Sequence, residues 1–307
     1  MGQEENVAEH NRQTVIADLL LLITALVWGF GFVAQRAGME HVGPFTFNGI
    51  RFLLGGICLL PLAMARESKA GQIGHGSVSP LAAGSVAGLV LFAGATLQQV
   101  GLLWTTAGKA GFITGLYVIF VPLLGLFCGQ KTGAGTWLGA LLATAGMYLL
   151  SVRGGFVMER GDLLVLAGAV CWAVHVLVLG YLSPRTDTLQ LAVVQFIFCG
   201  LISLVLAMLW EDITWPAVRS ALVPILYGGL GSVGIGYTLQ TVAQQWAPPA
   251  HASILLSLEA VFAALGGWWL LGEVLSPRAL LGCALMLTGM VFSQIYPYNR
   301  QHRNENS

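Results

Sequence analysis

The chain has 307 residues, of which 56% are hydrophobic and only 9% charged, with acidic and basic side chains equal in number. Water-soluble domains carry about 25% charged residues, so a chain with this composition and a mean hydropathy of +0.77 reads as a polytopic membrane protein rather than a soluble one. Zero net charge gives no electrostatic reason to expect nucleic acid or an anionic surface as partner.

Residues 1–16 form a polar N-terminal tail carrying Glu4, Glu5, Glu9 and Arg12. That is not the basic opening of a secretory leader, and no small-residue cleavage site follows. The apolar run from Ala17 is therefore expected to remain as a first span. About 20 apolar residues cross a bilayer, and ten stretches qualify: 17–35, 45–65, 81–104, 107–128, 135–152, 162–182, 189–209, 220–243, 250–271 and 278–296. A polar C-terminal tail occupies 297–307. The longest connection, ESKAGQIGHGSVS from Glu67 to Ser79, is rich in Gly and Ser, and no loop is long enough for a soluble catalytic domain.

Cys58, Cys128, Cys171, Cys199 and Cys283 lie in apolar runs without CxxC spacing. They are expected as buried small hydrophobes, not as metal ligands or disulfides, and no cofactor is expected. Small-xxx-small pairs such as Gly84/Gly88, Gly111/Gly115, Gly125/Gly129 and Gly135/Gly139 allow close helix packing in lipid, within one chain or between copies in a homo-oligomer. GLGSVG from Gly229 to Gly234 matches the dinucleotide fingerprint in letters only, because it lies inside an apolar span and not after a strand.

The chain repeats itself. GATLQQVGLLW (Gly94–Trp104) returns as GYTLQTVAQQW (Gly236–Trp246), 142 residues on, and ADLLLLITALVW ending at Trp28 returns as GDLLVLAGAVCW ending at Trp172, 144 residues on. Asp18 thus aligns with Asp162, Arg51 with Gln195, Gly139 with Gly282, and Gly146 with Gly289. A nearly constant offset marks a duplicated half, giving repeats over 17–153 and 161–296. Each half holds five spans. Five is odd, so the second half enters the membrane from the opposite side. The expected fold class is all-α integral membrane, with ten transmembrane helices as two inverted five-helix repeats and a substrate site between them near the midplane. An even span count puts both termini on one face. Placing them inside leaves seven basic residues inside (Arg12, Arg66, Lys69, Lys131, Arg185, Arg300, Arg303) against six outside (Arg36, Lys109, Arg153, Arg160, Arg219, Arg278), which favours that orientation by one residue.

ALVWGFGF in the first span, GIRFLLGG in the second, and SLEAVFAALGGWWLLGEVLSPRALLGCALMLTGMVF in the second half resemble the drug/metabolite transporter superfamily in its ten-span EamA-like form, over about residues 17–296. The family pattern has proline directly after the glutamate at position 259, where this chain has Ala260. The resemblance implies a carrier of the bacterial inner membrane with cytoplasmic termini that exports amino acids or related small metabolites. Related members move nucleotide sugars or triose phosphates, so the fold does not fix the substrate.

Charged groups within spans are expensive and point to function by default. Arg51, about seven residues into span two, and Glu259, about ten residues into span nine, are such groups; each has an alternative role in a fixed pair or backbone bond. Glu259 is the candidate for carrying a proton or pairing a substrate amine, and His175 in span six is a second proton-coupling candidate or a packing histidine. Glu273 ends its span, where a helix-end bond is expected. Gln98 and Gln240, repeat mates, serve either as interhelical glue or as groups orienting a polar substrate. Trp28 and Trp172, also mates, and Tyr117, the mate of Glu259, complete the candidate substrate site. Trp210, Trp215, Trp268 and Trp269 read as interface anchors. Lys109 and its mate His251 read as snorkelling residues, and Asp18 and Asp162 as charges favourable near helix N-termini. The function expected is a secondary carrier working by alternating access, proton-coupled or uncoupled, with the lipid bilayer and a small-molecule substrate as its partners. A channel and an intramembrane enzyme are the alternatives. The sequence has no P-loop, HExxH or GxSG, which argues against ATP drive and against the enzyme.

Overall fold

The computed structural model describes the backbone of residues 2–70, 77–152, 158–271 and 276–304. All regular structure among them is helical. Ten apolar helical segments follow one another: α1 (Asn11–Met39), α2 (Pro44–Ala65), α3 (Pro80–Gly101), α4 (Lys109–Phe127), α5 (Ala134–Leu150), α6 (Arg160–Arg185), α7 (Thr188–Trp210), α8 (Leu222–Ala243), α9 (Pro249–Leu265) and α10 (Pro277–Ser293). Seven are long enough to cross a bilayer on length and hydropathy, and α5, α9 and α10 are shorter. The protein is an all-α membrane protein built from two five-helix halves. Helix continues into both polar ends, as Gly2–Gly29 and Pro277–Asn304. Gly272 and Glu273 lie outside the described residues.

The inversion can be read from glycine contacts. A methyl group added at Gly139 of α5 would stand 2.7 Å from the carbonyl oxygen of Gly289 in α10, and the reverse distance is also 2.7 Å. Gly146 and Gly282 meet in the same way, at 2.5 and 2.6 Å. Exchanging the halves turns one contact into the other, since Gly139 is the mate of Gly282 and Gly146 of Gly289. Numbers rise along α5 as they fall along α10, so the mates run antiparallel, as a two-fold axis in the membrane plane demands. Helices α2 and α7 repeat the relation: Gly56 approaches Ile197, and its mate Gly200 approaches Leu53. Three further kinds of contact between halves come in matched sets, α3 on α6 with α8 on α1, α4 on α6 with α9 on α1, and α3 on α7 with α8 on α2.

Two helices break where they face each other's half. Helix α4 is interrupted at Leu116, between Ala107–Gly115 and Tyr117–Phe127, and α9 at Ser257 and Leu258, between Pro249–Leu256 and Glu259–Leu271. The tightened turns match in register: Leu116 N–H bonds the Ile113 carbonyl at 3.2 Å, and its mate Leu258 bonds that of Leu255 at 3.1 Å. No proline follows Glu259, yet the helix still breaks. The Ser257 hydroxyl donates to the Ile254 carbonyl at 2.7 Å, occupying one of the acceptors at the break.

Other distortions are confined to one side. Helix α1 is interrupted at Phe30, and α8 is π-helical from Tyr227 to Tyr237, whereas their mates α6 and α3 are regular over Arg160–Leu182 and Pro80–Gly101. Outward faces carry bare apolar side chains, among them Phe127, Val223, Trp210, Trp215, Trp268 and Trp269, as a lipid-facing surface requires. All five cysteines are free, and Cys199 and Cys283 are buried. Cys58 and Cys128, expected inside, instead face outward; a thiol is apolar enough to stand among lipid chains.

Candidate functional site

The repeat mates converge on a narrow cavity between the two halves. Trp28, Gln98, Tyr117, Trp172, Gln240 and Glu259 all line it, together with Phe32, Gln35, Thr114, Ser232 and Tyr237. Six of the seven residues named from sequence as a substrate site therefore meet in one space. They come from α1, α3, α4, α6, α8 and α9, three helices from each half.

The helix breaks set the polar centre. Tyr117 and Glu259 are the first residues of the helices that follow the two breaks, so each projects from a helix N-terminus. The position suits a carboxylate, because partial positive charge gathers there. Glu259 is only 7% exposed. Among the described residues no hydrogen bond or ion pair ties its carboxylate, and the Tyr117 hydroxyl likewise has no partner. A close approach of α1 supports this point: a methyl at Gly29 would stand 2.9 Å from the backbone of Glu259 and Ala263.

One wall is fixed by a hydrogen-bonded cluster. The Trp172 indole donates to Gln98 Oε1 at 2.8 Å, Gln98 Nε2 donates to Gln35 Oε1 at 3.0 Å, and the Thr114 hydroxyl reaches Gln98 Oε1 at 3.4 Å. The mate wall is wired differently. The Trp28 indole donates to the Ser232 carbonyl of the π-helical turn at 3.2 Å. Gln240 Nε2 donates to Gln244 Oε1 at 3.2 Å, leaving Gln240 Oε1 buried without a partner.

Tyr237 ties the walls together. Its ring lies 4.5 Å from Trp28, 5.9 Å from Trp172 and 5.9 Å from Phe52, centroid to centroid. Sequence reasoning missed it, along with Gln35 and Thr114. Tyr237 is the mate of Ala95, so it appears in the repeat only as a departure from the echo, GYTLQ against GATLQ.

Arg51 and His175 do not line the cavity; they stand one layer behind it. Arg51 is 2% exposed. Its Nε donates to Asn48 Oδ1 at 3.0 Å, and its guanidinium lies over the rings of Phe47 and Phe52 at 5.4 and 4.8 Å. No ion pair involves it among the described residues. The amide oxygen of its mate Gln195 accepts from His175 Nε2 at 3.0 Å, and the Gln195 amide nitrogen donates to the Thr241 hydroxyl at 3.1 Å. His175 Nδ1 has no partner, and the ring stands edge-on to Trp172 and Tyr237. No cluster of three metal-ligating side chains occurs among the described residues.

Comparison with known proteins agrees with this architecture. The model of the EamA-like transporter family matches residues 15–152 and again 159–294. An uncharacterized transporter of Archaeoglobus fulgidus is 30% identical over 277 residues, covering 90% of this chain and 84% of its own length. The S-adenosylmethionine/S-adenosylhomocysteine transporter of Chlamydia trachomatis serovar D is 25% identical over 89% of this chain and 88% of its own. The uncharacterized inner membrane transporter YedA of Escherichia coli K12 is 24% identical over 89% of both. A solved crystal structure superposes with a TM-score of 0.77 at 22% identity, over 91% of this chain and 96% of that one, a likeness of fold. With both halves matched in one register and a cavity between them, the chain belongs to the EamA-like transporter family of the drug/metabolite transporter superfamily.

Proposed function

We propose that the protein is a secondary carrier exporting amino acids or related small metabolites by alternating access, and that Glu259 binds the substrate's amine or a proton in turn. The carrying observation is the Glu259 carboxylate, bonded by no side chain among the described residues, in a cavity it shares with the free Gln240 acceptor oxygen and the Tyr117 hydroxyl. A buried carboxylate without a cation is unfavourable until a proton or a positively charged group reaches it. The aromatic walls of Trp28, Trp172 and Tyr237 suit an organic cation. A relative that carries a sulfonium metabolite by name is compatible with that chemistry. Because a proton and a cationic head compete for one carboxylate, a pH gradient drives exchange in this reading; His175, behind the Trp172 wall, is a positioning group for it. Placement in a bacterial inner membrane with cytoplasmic termini belongs to the same proposal.

The test is efflux of a labelled amino-acid panel from proteoliposomes, with and without an imposed pH gradient. Saturable efflux of at least one member, accelerated by the gradient and absent from protein-free liposomes, is the expected outcome. Saturable efflux indifferent to the gradient would remove the proton. Failure of every amino acid, with folded protein in the membrane, would overturn the substrate class.

A further inference from the structure

Two ion pairs stand at symmetry-related positions, and each joins one half to the other. Lys109 at the start of α4 reaches Asp162 at the start of α6, Nζ to Oδ2, at 2.9 Å. His251 at the start of α9 reaches Asp18 in α1, Nε2 to Oδ1, at 2.8 Å. Lys109 is the mate of His251, and Asp162 of Asp18. Counting spans puts the pairs on opposite faces: α4 and α6 start after an odd number of crossings from the start of α1, and α9 after an even number.

The acids do more than cap helices. Asp162 does cap: its Oδ2 accepts from the Glu159 N–H at 2.8 Å in a reciprocal box at the N-terminus of α6. It also accepts from the Thr105 hydroxyl of the other half at 2.5 Å. Asp18 corrects the expectation from sequence, since it lies in the middle of the continuous helix Gly2–Gly29, far from any N-terminus. With no cap to make, it still keeps the cross-half pairing. What the two acids share is the bond across the halves.

Resting on the carrier reading, we infer that these pairs are the two gates: Lys109–Asp162 latches one face of the cavity and His251–Asp18 latches the face bearing the termini. Both are closed in this structure, and the halves rock apart at either end by parting one pair. The latches differ in chemistry. One pairs its acid with a flexible lysine ammonium and the other with a planar imidazole ring. Around the imidazole, α1 contributes Asp18 and α10 the Ser293 hydroxyl, 3.3 Å from Nδ1.

The test reads access to the cavity and needs no known substrate, so it can fail independently of the substrate assignment. A Ser232→Cys reporter in the full chain is exposed to an impermeant thiol reagent in right-side-out and inside-out vesicles, and modification is read at position 232 by peptide mass. Lys109→Ala is expected to raise modification several-fold in one vesicle orientation only, and Asp18→Asn or His251→Gln in the other only. Lys109→Arg should return it to the parent level. Both single variants opening the same face, or folded variants leaving access unchanged at both faces, would overturn the inference.

Discussion

The seam between α3 and α6 and its mate between α8 and α1 began as the same structure and now differ. In the first, both helices are regular, Gly94 lies under the Trp172 ring, and the indole is held by the Gln98 side chain. In the second, Gly236 lies under Trp28 in the same way, but the helices are interrupted or π-wound and the indole bonds a main-chain oxygen. Gln240, the mate of Gln98, does not hold that indole and keeps a free acceptor at the cavity. The glycine–tryptophan contact explains why the TLQ phrase occurs twice: it is the packing unit of each seam. The copies differ in that one wall's glutamine is bonded to its indole, whereas the other's keeps a free acceptor oxygen. π-Helical turns often mark functional sites, and here one forms the divergent wall.

The sharpest way to break this comparison is at the mates Tyr117 and Glu259. Glu259→Gln should lower transport by about a hundredfold, the scale of losing a positioned proton-transfer group, and should erase its response to a pH gradient. Tyr117→Phe should stay within about threefold of the parent in the same proteoliposome assay, because the hydroxyl carries no charge to exchange. Equal losses would mean that the mates still do the same work.

Next in size is the glycine pair. In Gly236→Ala the methyl collides with the Trp28 indole nitrogen, whereas in Gly94→Ala it would stand 3.2 Å from the Trp172 ring, where a small shift relieves it. Overpacking of the first kind costs about 1–3 kcal/mol, and the second should cost under about 1 kcal/mol; thermal unfolding in detergent checks both. The glutamines then separate stability from function. Gln98→Ala strands the Trp172 indole and should cost about 1 kcal/mol. Gln240→Ala should cost less than about 0.5 kcal/mol, since a weak interhelical bond is all it loses, yet it should raise the substrate KM. The smallest effect concerns helix starts. Asp187 caps α7 from just before it, accepting from the Leu189 and Gln190 N–H groups. Its mate is Gly43, and α2 is capped instead by Glu211 from the other half, at 2.8 Å to the Phe45 and Thr46 N–H groups. Alanine at Asp187 or at Glu211 should cost about 1 kcal/mol, measured the same way.

Much of this was legible before any coordinates. Span count and inversion follow from hydropathy and from offsets between polar repeats, because Asp, Gln and Trp within an apolar chain occur in register for a reason. Side chains shared by both halves, such as Trp28 with Trp172 and Gln98 with Gln240, met in the cavity because a two-fold axis returns mates to one centre. What symmetry does not carry was not legible. The π-helical winding of α8 is a slip in hydrogen-bond register, and no residue spells it. The break before Glu259 occurs without proline, set by packing against α1 and by a serine hydroxyl. Depth along a helix does not give azimuth, so Arg51 is as deep as a site residue but turns toward Phe47 and Phe52, away from the cavity lining.

The most direct test of the central claim, a single site exposed in turn by two inverted halves, is solute counterflow. Proteoliposomes are loaded with unlabelled substrate, diluted into a trace of labelled substrate, and sampled over time. Alternating access predicts that label accumulates transiently above its equilibrium level, only when the lumen is preloaded, and that Glu259→Gln abolishes the overshoot. Label that merely equilibrates, at a rate linear in its concentration and indifferent to preloading, would show a channel and contradict the account.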